Sequence, residues 1–392
     1  MVRDSGTPGR DQGPTSDLRG RVRRDLDKLR DLAQRVSVED IRHGEWFARL
    51  LKFSLDQYVH EVDAAYFSRL YPGLSVEAMV RARIELAGSY ASMEGALTAG
   101  AYTGALAAVL GSRGAASRVA LPAAGVSFVL DLLFMSNLQL RLAYDIAVIS
   151  GVPLDLEDPE DLWRLIRVAF VVKGRASRWE ELTKRAPLVV RRALLKILTG
   201  DAESAAGSLP AMGRFLLQRN LVKFAIPGVG VPLSIALNYW STNVAGSQAA
   251  TVFRREARIL QTARRITEGA VDHSELLWVL WLIVQADGVV HENERLLLKH
   301  VAALVGDVNS ELSALAGLDA TIDFDLKATV SVPHFISQDK EALYQAGVTA
   351  AAVDGSADAN ELSRLRKLAD HCSVPFNGDA VRRLAAEEAR AS

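Results

Sequence analysis

The sequence predicts an all-α protein of two domains, and three observations lead there. Apolar residues recur at intervals of three and four along most of the chain after Asp17. Period-2 alternation bounded by hairpin turns is scarce, so strands lack their usual pattern. The two longest uncharged stretches are of helical length and crowded with small residues. The chain has 392 residues, enough for two or three domains each burying its own core.

The first 16 residues are polar, contain Gly and Pro, and lack the apolar core of a secretory signal; a disordered tail is expected at 1–16. Val22, Leu26, Leu29, Ala33 and Val36 then follow at 4-3-4-3 spacing, the seam of a packing helix. Two heptads are too short for a coiled coil by themselves, so this helix is expected to dock on the body or on a second copy. Residues 41–70 continue amphipathically, with Phe47, Leu51, Leu55 and Tyr58 along one side.

Gly95–Ser112 runs 18 residues without a charge, and Phe224–Phe253 runs 30, broken by Pro227, Gly228, Gly230 and Pro232. Length alone admits a membrane span. Content argues for buried helical hairpins, because Gly, Ala, Ser, Thr, Asn and Gln dilute the apolarity and the prolines interrupt the second stretch. Both readings stay open. The Leu121–Val126 sequence LPAAGV is echoed 105 residues later by Ile226–Val231, IPGVGV. Each is expected to turn into an apolar helix with one early polar residue, Asp131 in the first and Asn238 in the second.

The run Leu121–Asp161, which contains LQLRLAYDIA, resembles the EcsC family. Its closing motif resembles Ile226–Ala257, where a Pro-Gly turn precedes an Asn-bearing helix that ends in basic residues. The likeness covers about residues 45–265, with Ser150-Gly151 standing where an aromatic usually precedes the Gly. It implies an EcsC-like helical domain rich in small-residue helices, over 17–269, and no established reaction.

A second signal lies further on. Asp287-Gly288 is followed by Glu294, and Asp354-Gly355 by Glu361, two DG-x5-E motifs 67 residues apart, each after an apolar helix. This helix-turn-helix duplication resembles the TerB-like (tellurite-resistance, DnaJ-like co-chaperone N-terminal) domain, here over 270–392. The resemblance implies a stress or partner module and a divalent cation held by acidic residues.

Hard cations take oxygen ligands, which nominates Asp287, Glu294, Asp354, Asp358 and Glu361 for a calcium-like ion. The second loop, Asp354, Ser356, Asp358, Asn360, opens like a calcium loop, but Ala359 and Leu365 occupy the positions where an EF-hand needs Gly and Glu. The same residues have a purely structural use. Asp358-x-x-Glu361 has the form of a capping box, His291-x-x-Glu294 is its weaker counterpart, and Gly288 and Gly355 suit left-handed helix ends.

No enzyme is expected. There is no Walker-type loop, HExxH pair or nucleophile elbow. His371-Cys372 is adjacent on a helix, so the two side chains point apart. Cys372 is the single cysteine, which excludes an intrachain disulfide and, with the missing signal, fits a cytoplasmic setting.

The 46 Lys and Arg nearly cancel the 47 Asp and Glu. Divided along the chain, they do not: 162–223 holds 13 basic against 4 acidic residues, while 270–392 holds 10 against 19. Within the basic segment, Leu188–Leu198 interleaves apolar residues with Arg191, Arg192 and Lys196, with Arg185 just before it, a combination suited to an anionic bilayer surface or lipid. A solvated basic face, and docking of the acidic C-terminal part on the basic segment, are the competing readings. Nucleic acid is not expected, since no fold signature or stacking set accompanies the charge. The leading expectation is peripheral membrane association on the cytoplasmic face, with the acidic domain meeting a protein partner. The alternative is a soluble carrier enclosing an apolar ligand between the small-residue helices.

Overall fold

The computed structural model describes residues 14–35, 38–43, 46–56, 58–112, 117–170, 230–270, 273–286, 288, 290–305 and 340–391. Every regular element among the described residues is an α-helix, as the apolar spacing predicts. The chain divides into two compact units, Met1–Ala250 and Thr251–Ser392.

In the first unit, α1 (Pro14–Arg35) buries Val22 and Leu29, two of the seam positions. It begins at Pro14, within the expected tail, because proline is already set for the first helical turn. The run over 41–70 is not continuous. It is divided among α2 (Val38–His43), α3 (Trp46–Leu55), α4 (Tyr58–Glu61) and α5 (Ala64–Leu70). Asp63 shows why: its extended backbone breaks the run and its carboxylate accepts the Tyr66 N–H at 2.6 Å, capping α5. Along α3, Trp46, Phe47, Leu50 and Leu51 are buried, and Phe47 packs edge-on against Phe170. Phe170 closes α8 (Pro159–Phe170), whose buried Arg164 donates to buried Asp161 at 2.8 Å.

The unit is organised around three long helices: α6 (Val76–Gly111), α7 (Ser117–Ile149) and the first part of α9 (Gly230–Gly269). α6 and α7 form an antiparallel hairpin, since Arg83 meets Asp145 near its base while Asn238 of α9 joins Glu94 to Asp131 further along. α9 runs antiparallel to α6. A Cβ added at Gly246 would lie 2.7 Å from Ile84 and 3.1 Å from Leu142, and one at Gly95 would lie 3.0 Å from Asn238. These glycines let three backbones approach where any side chain would hold them apart.

α9 starts at Gly230 with Pro232 in its first turn; residues 226–229 of the expected Pro-Gly turn lie outside the described residues. α7 starts at Ser117, so Pro122 lies inside the helix rather than before it, at the loss of one backbone hydrogen bond. α7 ends on Gly151 in the left-handed region (φ 73°), where Val152 N–H returns to the Ala147 carbonyl at 3.0 Å.

The second unit comprises the rest of α9, α10 (His273–Val284), α11 (Glu292–Val305), α12 (Lys340–Ala352), α13 (Ala359–Cys372) and α14 (Gly378–Ala391). Leu280, Ile283, Leu297, Val301, Ala350, Leu365 and Leu368 are among its fully or nearly fully buried core. The division falls inside α9 rather than at the expected 269/270, because Ile259 and Ala263 of α9 are already part of this second core.

Candidate functional site

The two acidic loops of the second unit lie side by side. Gly288 (φ 79°) and Gly355 (φ 90°) both adopt the left-handed conformation, each in the turn that follows the preceding helix rather than at the helix end itself. Asp358 then caps α13: its Oδ1 accepts the Glu361 N–H at 2.7 Å, and Glu361 Oε2 accepts the Asp358 N–H at 2.8 Å, a complete capping box. Glu294 does the same one repeat earlier, accepting the His291 N–H at 2.7 Å. Asp354 folds on its own turn, accepting from Ser356 N–H at 2.8 Å and Ser356 hydroxyl at 2.9 Å.

Two contacts cross between the loops. Asn293 donates to the Val353 carbonyl at 3.1 Å, and His291 Nε2 stands 3.9 Å from Asp354 Oδ2. Glu294, Asp354, Asp358 and Glu361, four of the carboxylates nominated for a cation, therefore each accept from a backbone N–H. Among the described residues, no group of three or more His, Cys, Asp or Glu side chains is placed to hold a metal ion. Asp287 lies outside the described residues, as do Arg185, Arg191, Arg192 and Lys196.

The first unit holds a polar centre that the sequence signals only in part. Asn238, Glu94 and Asp131 are fully buried, and the Asn238 amide donates to Glu94 Oε2 at 3.0 Å and to Asp131 Oδ1 at 3.1 Å. Ser234 and Thr242, one turn to either side on α9, are buried as well. Burying two carboxylates demands hydrogen bonds, and an amide NH2 carries two donors to supply them. Asp131 and Asn238 stand out in the sequence as lone polar residues on apolar helices. Glu94 is the last charge before the uncharged stretch, a signal that is available but easily passed over.

A second buried network sits on the LQLRLAYDIA run. Asp145 accepts from the Tyr58 hydroxyl at 2.7 Å and from Arg83 Nε at 2.9 Å, while Arg141 donates to the Ser54 carbonyl and lies over the Tyr58 ring at 4.5 Å. Burial and the adjacent Asp145 carboxylate push the Tyr58 hydroxyl well above the usual phenol range. Burial opposes charge on Arg83, but Asp145, joined by Tyr58 and Tyr71, outweighs it and raises the guanidinium above its ordinary value. These residues tie α3, α4 and α6 to α7; the motif is structural.

In the second unit, buried His300 and Glu256 face each other at 3.3 Å, a pair that sequence spacing does not reveal. Burial pushes the Cys372 thiol up, which keeps it from the thiolate form a nucleophile needs.

The far end of the α6–α7 hairpin contrasts with these polar centres. Among the residues of α6 whose burial is described, Thr98 is the last buried one, and Gly100, Ala101, Gly104 and Ala108 beyond it are exposed. On α7, Val126 is 45% exposed immediately before buried Ser127. Leu97, Tyr239 and Trp240 are also exposed, Trp240 by 56%. Val126–Ile149 is long and apolar enough to cross a membrane, but most of it is buried and it carries Asp131, Arg141 and Asp145; it is read as a core helix. Comparison with family models, with curated proteins and with solved structures finds no match for this chain.

Proposed function

We propose that the chain is a non-enzymatic peripheral membrane protein of the EcsC type, with a TerB-like module that serves as a stress or partner domain. The observation that carries this reading is the uncharged, small-residue end of α6, where Leu97, Gly100, Ala101, Gly104 and Ala108 are exposed, with Val126 of α7 exposed as well. From Leu97 to Gly111 the helix extends about 20 Å at 1.5 Å per residue, more than the depth of one hydrocarbon leaflet. Tyr239 and Trp240 stand on α9 below that end, near the level of Gly88, where amphipathic aromatics would meet the headgroup region.

The buried Glu94–Asp131–Asn238 centre fits this arrangement. It fastens three helices partway along the hairpin and leaves the small-residue end of α6 free to enter lipid. The basic segment beyond α8 supplies the charge for an anionic, cytoplasmic leaflet, and the acidic second unit supplies a surface for a basic protein partner.

Flotation on vesicles tests the reading. The wild-type chain is expected to float with vesicles rich in phosphatidylglycerol at low salt, less with phosphatidylcholine alone, and to show blue-shifted Trp emission when bound. Leu97→Glu and Val126→Glu are expected to lose flotation while keeping their helical circular dichroism. Absence of flotation on both lipids would overturn the proposal.

A further inference from the structure

The second unit contains a cavity of about 360 Å³ between α9, α12 and α14, within the range of small-molecule sites. Its most telling wall is one face of α9. Arg255, Arg258, Thr262 and Arg265 recur there at intervals of three and four, which brings three guanidinium groups to one space. The Nε of Arg258 is buried and makes no hydrogen bond among the described residues. Arg265 donates to Thr262 Oγ1 at 3.3 Å, one bond from a group with five donors.

The charge of this wall runs against its surroundings. Residues 251–392 carry 15 Lys and Arg against 21 Asp and Glu, yet among the described residues the cavity is lined by three arginines and one acid, Glu388. Two further properties narrow the ligand. Ile259, Ile266, Ala346 and Leu384 give the cavity an apolar side, while Gln345 and Thr349 add uncharged polar groups from α12. A site with an excess of two positive charges matches a dianion better than a monoanion, and guanidinium forks fit phosphate oxygens in pairs.

We propose that this cavity binds a phosphomonoester. The phosphate lies against Arg258 and Arg265, and its organic substituent lies on the Ile259, Ile266 and Leu384 side. The site is independent of the hairpin and of any membrane contact made there.

Titration calorimetry on the full chain tests it with benzyl phosphate, inorganic phosphate and benzoate. Benzyl phosphate is expected to bind more tightly than the other two. Arg258→Gln and Arg265→Gln are each expected to weaken it about 10- to 100-fold, the loss that follows from a charge-assisted hydrogen bond. Arg254→Gln, at an exposed position on the same helix outside the cavity, is expected to leave it unchanged. Because Arg265 is exposed, its variant keeps the test open if Arg258→Gln fails to fold. Absence of binding heat, equal affinity in all three variants, or benzoate binding as tightly as benzyl phosphate would each overturn the assignment. Phosphatidic acid vesicles separate the two sources of such a group. Vesicle binding displaced by benzyl phosphate assigns a lipid headgroup, and benzyl phosphate binding without that competition assigns a soluble phosphomonoester; both uphold the site.

Discussion

Asn238 and Asp131 lie 107 positions apart in the chain and 3.1 Å apart in the fold, with Asn238 donating and Asp131 accepting. The same amide reaches Glu94 at 3.0 Å, so one neutral side chain bridges two buried carboxylates on two other helices. Removing its donors takes one hydrogen bond from each acid, and adding a charge there makes the centre worse. Asn238→Ala is expected to destabilise by about 1–3 kcal/mol. Asn238→Asp, which places a third carboxylate in the same interior, is expected to cost about 3–5 kcal/mol. Urea denaturation checks this through the midpoint. The order of the two variants is the decisive feature, because loss of volume alone would make Ala the worse one.

The Tyr58–Asp145 bond has a consequence at high pH. Tyr58 is held protonated in the folded chain above the usual phenol value of about 10, whereas in the unfolded chain it ionises normally. Between those two values the folded state binds the extra proton, so stability falls as pH rises above about 10. Tyr144, raised by burial and then by Asp145, adds to the slope in the same direction. Tyr58→Phe is expected to flatten the decline without abolishing it. Absorbance at 295 nm checks the cause: of the eight tyrosines, the folded wild type should withhold Tyr58 from the alkaline titration that unfolding releases. A wild-type titration already complete near pH 10 would contradict this assignment.

The contrast between these two centres explains what the sequence discloses. Helical class, the buried seam at Val22 and Leu29, and the capping box at Asp358 follow from local spacing, which depends on neighbours within a turn or two. Asp131 and Asn238 are legible as anomalies because a lone polar residue on an apolar helix needs an explanation. Their pairing is not legible, since it depends on how α6, α7 and α9 cross. His300 and Glu256 carry no local signal at all, and the arginines lining the second unit's cavity become a group only when α12 and α14 close it. Pro122 is misleading for the opposite reason. Its local preference is to precede a helix, and the packing of α7 carries the helix past it.

The acidic loops offer a direct choice between capping and cation binding. Asp358 holds the Glu361 N–H at 2.7 Å, and such a cap is worth about 1 kcal/mol, so Asp358→Ala is expected to lower stability by that amount. Glu361→Gln keeps a hydrogen-bond acceptor for the Asp358 N–H and is expected to cost less. Calcium added to either variant should shift Tm by the same amount as in the wild type. A calcium-dependent gain present in the wild type and lost in Asp358→Ala would return these residues to the cation reading.

Glycines on the long helices separate the packed part of the hairpin unit from its exposed end. At Gly246 an added Cβ would come within 2.7 Å of Ile84 Cγ1 and 3.1 Å of Leu142 Cδ2, so a methyl group there must push α6 or α7 away. Overpacking of this kind costs about 1–3 kcal/mol, more than the roughly 1 kcal/mol of helix propensity that alanine returns. At Gly100 and Gly104 nothing lies within 4 Å, so the propensity gain stands alone. Gly246→Ala is therefore expected to lower Tm, while Gly100→Ala and Gly104→Ala hold or raise it, as followed by circular dichroism at 222 nm. Combining Gly246→Ala with Ile84→Ala should cost less than the two changes added, because the second removes the atoms the first collides with. Strict additivity would mean that the close approach of α9 to α6 does not limit this position.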